Sequence, residues 1–326
     1  MERESSRQDN KVEGAYAPST FKDMPMEMNQ LGMTGLRISR LGLGLAQGKH
    51  KLTMDDFQDA SDVLDVALEA GINFLDTGAC YGLSEEFLGE LISHRRKDYI
   101  LATKCGHLVE GEEGEPWTPQ TVRKSIERSL SRMKTDYLDL IQLHSCSVEV
   151  LEHGEVIAEL ERSQKQGLVR FLGYSGDNEA AEWAVSSGRF DTIQTSFNIT
   201  DQRARWNLLK DAKAAGMGTI IKRPIGNVSW GVDKSPSTYA DTYFERGKKM
   251  EGLGPLPVTF DDSLTLALGF VLSYKEVDTA IVGTRNHHHM HDNLERVKQG
   301  LYIPDDLLRE LEQRFDALGS NWIQLN

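Results

Sequence analysis

The sequence predicts a single-domain (β/α)8 TIM barrel, in which eight strands alternate with helices. Short apolar runs of strand length recur between longer segments whose apolar residues repeat at helical spacing, and several of those helical segments end at a glycine. Uninterrupted alternation indicates a parallel sheet, and eight units close most naturally into a barrel with its functional groups at the carboxyl ends of the strands. We therefore assign residues 26–326 to one barrel domain, a size that such barrels reach as a single unit.

The elements begin with a small hairpin, predicted between residues 26 and 36 around Gly32 and Gly35. The strands are predicted at residues 38–46, 72–76, 99–104, 138–144, 169–175, 192–196, 218–222 and 279–282. The helices are predicted at residues 53–70, 84–91, 118–133, 148–166, 179–187, 203–215, 262–274, 287–299 and 304–318. Thr118 followed by Pro119 is a typical helix start. The stretch 226–257 is rich in proline and glycine and lacks evident structure, so we expect a lid or binding loop there.

Composition narrows the classes of partner. The net charge of −13 argues against nucleic acid and anionic membranes, which both require a basic face. No run approaches the 18 or more apolar residues of a membrane span. Three cysteines without a C-x-x-C pair indicate a reducing compartment, so we expect a cytoplasmic protein. Residues 1–25 are polar, and we predict a disordered N-terminal tail.

Four side chains of complementary chemistry lie at or just after predicted strand ends. Asp76, Lys104 and His144 end three strands, and Tyr81 lies in the loop that follows Asp76. A tyrosine with a pKa of about 10 is a poor general acid at neutral pH, and a nearby ammonium would lower that pKa. Asp76 would hold Lys104 charged, while His144 would orient a carbonyl oxygen toward the phenol. We therefore predict a proton-donating site.

These residues stand in the segments Asp76-Thr-Gly-Ala-Cys-Tyr81-Gly82, Thr103-Lys104 and Leu143-His144, a pattern that resembles the aldo-keto reductase family. The resemblance runs from about residue 31 to residue 293, with a departure at Gly78, where the family more often has alanine. It implies a catalytic tetrad of Asp76, Tyr81, Lys104 and His144. It also implies reduction of a small-molecule aldehyde or ketone by hydride transfer from a nicotinamide cofactor.

The resemblance further implies cofactor contacts after strands five to seven. Ser175 and Gln194 match positions that bind the nicotinamide carboxamide, although Gly176 stands where the family often has asparagine, a contact that Asn178 would have to replace. Without the family, Ser175 could equally be a helix cap. The segment after strand seven matches the part that stacks on the nicotinamide and wraps the pyrophosphate: Lys222, Arg223, Ile225 and Asn227. A solvated basic turn is the alternative interpretation of that segment.

After the last strand, the matching turn and helix would bind the adenosine end of the cofactor. The residues concerned are Gly283, Thr284, Arg285, His289, Asp292 and Asn293. Thr284 and Arg285 can hold a 2′-phosphate, which favours NADP(H), with NAD(H) as the other cofactor that would fit. His287 and His291 are four residues apart, but no H-E-x-x-H pattern or third ligand accompanies them, so we expect no metal site.

Some alternatives stay open at this level. A cofactor-sensing module that resembles potassium-channel β subunits would share the tetrad but turn over slowly. Trp117 and Trp230 could line the substrate pocket or serve packing. Cys80, Cys105 and Cys146 flank the tetrad. Either all three are inert buried residues, or Cys80 or Cys105 is a thiol activated by Lys104. For the assembly we expect a monomer or a weak homo-oligomer.

Overall fold

The computed structural model describes residues 24–46, 51–257 and 262–325. Its centre is a closed barrel of eight parallel strands, which confirms the predicted fold. A two-stranded antiparallel hairpin of β1 (Met28–Gln30) and β2 (Arg37–Ser39) precedes the barrel. The barrel strands are β3 (Leu41–Gly44), β4 (Phe74–Asp76), β5 (Ile100–Cys105), β6 (Leu138–His144), β7 (Val169–Ser175), β8 (Thr192–Ser196), β9 (Gly218–Lys222) and β10 (Thr279–Val282).

Helices surround the barrel. They are α1 (Phe57–Glu69), α2 (Ser84–Leu91), α3 (Pro119–Arg132), α4 (Val148–His153), α5 (Glu155–Lys165), α6 (Asn178–Ser186), α7 (Arg203–Trp206), α8 (Leu208–Ala214), α9 (Asp241–Glu251), α10 (Ser263–Leu272), α11 (His287–Lys298) and α12 (Asp305–Leu318). Across the described ranges, every helix is too short or too polar to cross a membrane. The predicted tail falls almost entirely on residues outside the described ranges.

The hairpin closes the amino-terminal end of the barrel. Its apolar side chains pack against inward-facing barrel residues in one buried cluster: Leu31, Leu36, Ile38, Phe74, Ala102, Leu140, Ile220 and Ile281. Gly218 leaves space for the hairpin side chains, because a Cβ there would lie 2.5 Å from a methyl carbon of Leu31. With this end filled, a ligand has access from the carboxyl ends of the strands, where barrel sites lie.

Three predicted elements are interrupted in the structure. The predicted strand at 38–46 divides at Arg40, whose buried guanidinium turns away to donate to the carbonyls of Leu272 (2.6 Å) and Val277. The predicted helix at 148–166 breaks at Gly154, whose φ of +73° is left-handed. The helix predicted at 203–215 breaks at Asn207.

The stretch at 226–257 contains a helix that its composition did not indicate. Residues 226–228 form a short 3-10 turn in which Asn227 and Val228 have positive φ, and α9 follows thirteen positions later. Tyr243, Arg246 and Met250 of α9 are buried against the rest of the protein. Tertiary packing therefore orders a segment whose sequence is dominated by turn residues.

Candidate active site

A buried ion pair between Asp76 and Lys104 lies at the carboxyl ends of β4 and β5. The ammonium is 2.5 Å from Asp76 Oδ2 and donates to the carbonyl of Thr77 at 2.8 Å, and each side chain is 2% exposed. Burial acts to lower the pKa of Lys104, but the neighbouring carboxylate of Asp76 and phenol of Tyr81 outweigh it and raise that pKa. The lysine is therefore charged at neutral pH.

Two glutamines bind the other oxygen of Asp76. The side-chain amides of Gln142 (3.0 Å) and Gln194 (2.8 Å) both donate to Oδ1. Gln194, predicted as a cofactor contact, also accepts a hydrogen bond from the Ser175 hydroxyl at 2.8 Å. Gln142 was missed, although a glutamine two positions before His144 in an apolar strand was a signal that it shares the inward face. Together they hold the carboxylate in one orientation.

Tyr81 lies above this pair. The Lys104 ammonium is 5.0 Å from the centre of the phenol ring. A Cβ on Gly78 would lie 3.1 Å from that ring, so the alanine usual in the family would press against it. Burial raises the pKa of Tyr81 to about 12, while Lys104 lowers it by less. Lys104 thus acts on the phenol pKa in the expected direction, but that pKa is raised on balance because desolvation outweighs the ammonium.

His144 ends β6, and its ring stands edge-on to that of Tyr81, with centres 6.0 Å apart. Burial lowers the pKa of His144 well below its usual range, and the charges of Lys104 and Lys222 lower it further, as does His107. The imidazole is therefore neutral at physiological pH. Its ring also contacts His107 edge-on at 4.9 Å.

The two tryptophans serve packing. Trp117 contacts His107 edge-on, at 4.7 Å between ring centres, and covers Gly106, where a Cβ would collide with the indole. Trp230 is buried in the hydrophobic core. Neither lines the cavity described next. Of the two interpretations left open by the sequence, the structure supports packing.

The cysteines are not activated thiols. Burial raises the pKa of Cys80, Cys105 and Cys146 above the usual value of a thiol. At Cys80 the ammonium of Lys104 acts in the opposite direction but is the smaller effect. Cys105 and Cys146 are almost fully buried. The hypothesis of thiols activated by Lys104 is therefore wrong in direction.

A cavity of 480 Å³ opens at the carboxyl ends of the strands and joins the tetrad to the predicted cofactor residues. Predicted site residues in its wall are Asp76, Tyr81, His144, Ser175, Gln194, Lys222, Arg223, Ile225, Asn227, Gly283 and Thr284. Its volume is within the range of about 300–1,000 Å³ typical of small-molecule sites. Five predicted residues are outside this wall: Lys104, which lies in β5, and Arg285, His289, Asp292 and Asn293, which lie in or next to α11.

Lys222 and Arg223 line the cavity but already have partners. The ammonium of Lys222 is 2.8 Å from Asp177 Oδ2, and burial lowers the pKa of this lysine. Arg223 donates to the carbonyl of Leu325 and the hydroxyl of Tyr239, both at 2.5 Å. These contacts do not support the alternative of a solvated basic turn. Arg223 instead connects the C-terminal segment to the stretch that carries Tyr239.

Asn178 does not replace the missing asparagine contact. Its side chain exchanges hydrogen bonds with the backbone of Gln324, at 2.9 and 3.1 Å. A Cβ on Gly176 would lie 2.6 Å from the ring of Tyr174, whose hydroxyl donates to Cys146. Position 176 is therefore glycine because Tyr174 fills the space that a side chain would need.

On the adenosine side, Arg285 is paired with Asp56. The guanidinium is 2.9 Å from Asp56 Oδ1, and it is half-exposed whereas the carboxylate is buried. His289 and Asp292 are exposed, whereas Asn293 is buried with its Oδ1 lacking a hydrogen-bond partner within the described ranges. That the chain has no metal site remains a prediction.

The fold and the tetrad define a barrel oxidoreductase, and comparison with known proteins gives the family. The model of the Aldo/keto reductase family matches residues 40–307, so the chain belongs to this family. It is 31% identical to the uncharacterized oxidoreductase YqkF of Bacillus subtilis, over 83% of this chain and 90% of the relative. It is 29% identical to L-galactose dehydrogenase of Arabidopsis thaliana, over 88% of this chain and 93% of that protein.

Two further similarities bear on cofactor and fold. The NADH-specific methylglyoxal reductase of Escherichia coli is 24% identical, over 89% of this chain and all of that protein (100%). The holo form of an aldo-keto reductase from Bacillus halodurans superposes with a TM-score of 0.75 at 26% identity, over 89% of this chain and 96% of that one. The family resemblance seen in the sequence is confirmed.

Proposed function

We propose that the protein reduces an aldehyde or ketone to an alcohol, with NADP(H) as the preferred cofactor and NAD(H) as the alternative. The observation that carries this proposal is the buried Asp76–Lys104 pair beside Tyr81, where Tyr81 and His144 both line one cavity. The free thiols support a reducing, cytoplasmic location.

The proposed chemistry divides among the four side chains. The cofactor supplies a hydride to the carbonyl carbon when it is bound. Tyr81 donates its phenolic proton to the carbonyl oxygen, and Lys104 stabilises the phenolate that remains. His144, neutral because of its lowered pKa, donates a hydrogen bond to the same oxygen. Donors positioned before the reaction stabilise the charge that develops on this oxygen more than they stabilise the ground state.

The residues present fit a dinucleotide. The Ser175 hydroxyl proton is engaged by Gln194, so the oxygens of both side chains keep lone pairs for a carboxamide amine. Gly283 brings the end of β10 close to β3, since a Cβ there would lie 2.4 Å from the carbonyl oxygen of Ala46. The Oδ1 of Asn293, which has no hydrogen-bond partner among the described residues, would accept a hydrogen bond from the adenosine end.

The preference for NADP(H) rests on Thr284 and Arg285. A hydroxyl and a guanidinium can together hold a 2′-phosphate. Arg285 would have to exchange its contact with Asp56 for one with the phosphate, and the buried carboxylate would then face that anion. The relative from E. coli is named as NADH-specific, which is the reason to keep NAD(H) as the alternative cofactor.

The test is Tyr81→Phe. This variant should bind NADPH as the wild type does, measured by quenching of protein fluorescence, but lose about 10² to 10⁴ in carbonyl reduction because the ring remains and the donor is gone. Substrates are screened as a panel of aldehydes, ketones and sugars by NADPH oxidation. Tyr99→Phe is the matched control, because Tyr99 is a buried tyrosine whose hydroxyl bonds Ile92, outside the cavity.

Full turnover in Tyr81→Phe would contradict the assignment of the proton donor. A wild-type protein that binds NADPH but reduces no member of the panel would contradict the proposed function and favour the cofactor-sensing alternative.

A further inference from the structure

Cys80 contacts the imidazole of His144 across a large separation in sequence. Its Sγ lies 3.7 Å from Nδ1 of the ring. The contact connects the residue that precedes Tyr81 to the end of β6. Within the described ranges, Cys80 is the side chain that the structure places in hydrogen-bonding distance of this ring. The other ring neighbours, Tyr81 and His107, approach edge-on at 6.0 and 4.9 Å between centres.

The contact matters because a neutral imidazole has two tautomers. One ring nitrogen carries the proton and donates, and the other presents a lone pair and accepts. Which nitrogen is protonated is set by the hydrogen bond that its partner nitrogen makes. Since Nδ1 of His144 is turned toward Cys80 and the ring lines the cavity, Nε2 is the nitrogen left for a ligand.

We propose that Cys80 is a positioning residue that holds His144 in the tautomer with its proton on Nε2, by donating its S–H to Nδ1. This inference rests on the proposed function, because the Nε2–H group is what would donate a hydrogen bond to a carbonyl oxygen in the cavity. The opposite arrangement, with Nδ1–H donating to sulfur, would direct the Nε2 lone pair at the lone pairs of that oxygen and repel it.

The surroundings leave the thiol able to donate. Burial raises the pKa of Cys80, so sulfur keeps its proton at neutral pH and a thiolate, which could only accept, does not form. Burial, together with Lys104, His107 and Lys222, lowers the pKa of His144, so the ring does not carry protons on both nitrogens. One donor and one acceptor therefore meet at this contact.

The experiment compares Cys80→Ala, which removes the donor, with Cys80→Ser, which keeps one. ¹⁵N-labelled histidine is introduced into each protein, and the His144 signals are assigned by their loss in His144→Gln. The wild type should show a protonated Nε2 and a bare Nδ1. Cys80→Ala should show a mixture of tautomers, and Cys80→Ser should restore the wild-type pattern. Cys105→Ala is the matched control, because Cys105 lines a second, smaller cavity together with Cys80 and His144 but donates to the carbonyl of Gln142.

Kinetics supply the second measurement. Cys80→Ala should lower kcat for carbonyl reduction by about two- to tenfold, the value of one neutral hydrogen bond, and leave the Kd for NADPH unchanged. Cys80→Ser should recover most of that loss. The proposal is overturned if wild-type His144 carries its proton on Nδ1, or if Cys80→Ala leaves the tautomer unchanged. The tautomer is read without turnover, so a protein inactive on every carbonyl would refute the proposed function while this inference stands or falls by its own signals.

Discussion

Removing Lys104 should destabilise the protein and abolish activity. A second substitution, at Asp76, should restore part of the stability but not the activity. In Lys104→Met the carboxylate of Asp76 stays buried, 2% exposed, without its cation. Breaking a buried ion pair by deleting one partner costs about 3–5 kcal/mol, because the remaining charge is left uncompensated. Since the pKa of Lys104 is raised, the pair contributes its full stability below the unfolded lysine pKa of about 10.4 and loses it as pH rises through the folded pKa.

The double variant Asp76→Asn/Lys104→Met tests the pairwise origin of this cost. The asparagine oxygen can still accept from Gln142 and Gln194, and no charge remains buried. We expect the free energy of unfolding of the double variant to exceed, by about 1–3 kcal/mol, the value obtained by adding the losses of the two single variants. Carbonyl reduction should remain lost in all three proteins.

Stability is measured by denaturant unfolding followed by circular dichroism, and activity by NADPH oxidation. Lys213→Met is the matched control. Lys213 is paired at 2.7 Å with buried Asp278, but its own side chain is 44% exposed, so this change should cost less and leave turnover intact. Strict additivity of the Asp76 and Lys104 changes would refute the reasoning, because it would mean that the two charges do not stabilise each other.

Three further outcomes are expected. Because the pKa of His144 is lowered, its contribution to folding stability is fully present above about pH 6.5 and falls as the pH drops below that value. The imidazole of the folded protein stays neutral in that range. An NMR titration that shows His144 protonated near pH 6.5 would contradict this. Arg285→Ala should weaken the binding of NADPH by about 1.5–3 kcal/mol and the binding of NADH far less, as measured by calorimetry. Equal weakening of both cofactors would show that Arg285 does not recognise the 2′-phosphate. Gly82→Ala should destabilise by roughly 1–3 kcal/mol in thermal unfolding, because φ is +74° and a Cβ would lie 2.3 Å from the carbonyl oxygen of Leu52; unchanged stability would mean that this loop adapts freely.

The sequence by itself determined the barrel and the positions of the tetrad. Periodicity and glycine stops are local properties, so the order of strands and helices could be derived from them. The end of a strand is also a local property, and parallel strands in a closed barrel end at one rim. Asp76, Lys104 and His144 could therefore be placed together without any knowledge of their contacts.

The tertiary structure alone decided how those groups behave. The pKa of Tyr81 is raised because desolvation, which depends on everything packed around the ring, exceeds the effect of the single charge that the sequence indicated. Arg223 bonds Leu325, a residue 102 positions away, and so belongs to the C-terminal contact as well as to the cavity wall. The Cys80–His144 contact likewise spans 64 positions. No periodicity encodes such pairs, because they arise where the closure of the barrel brings separate loops to the same rim.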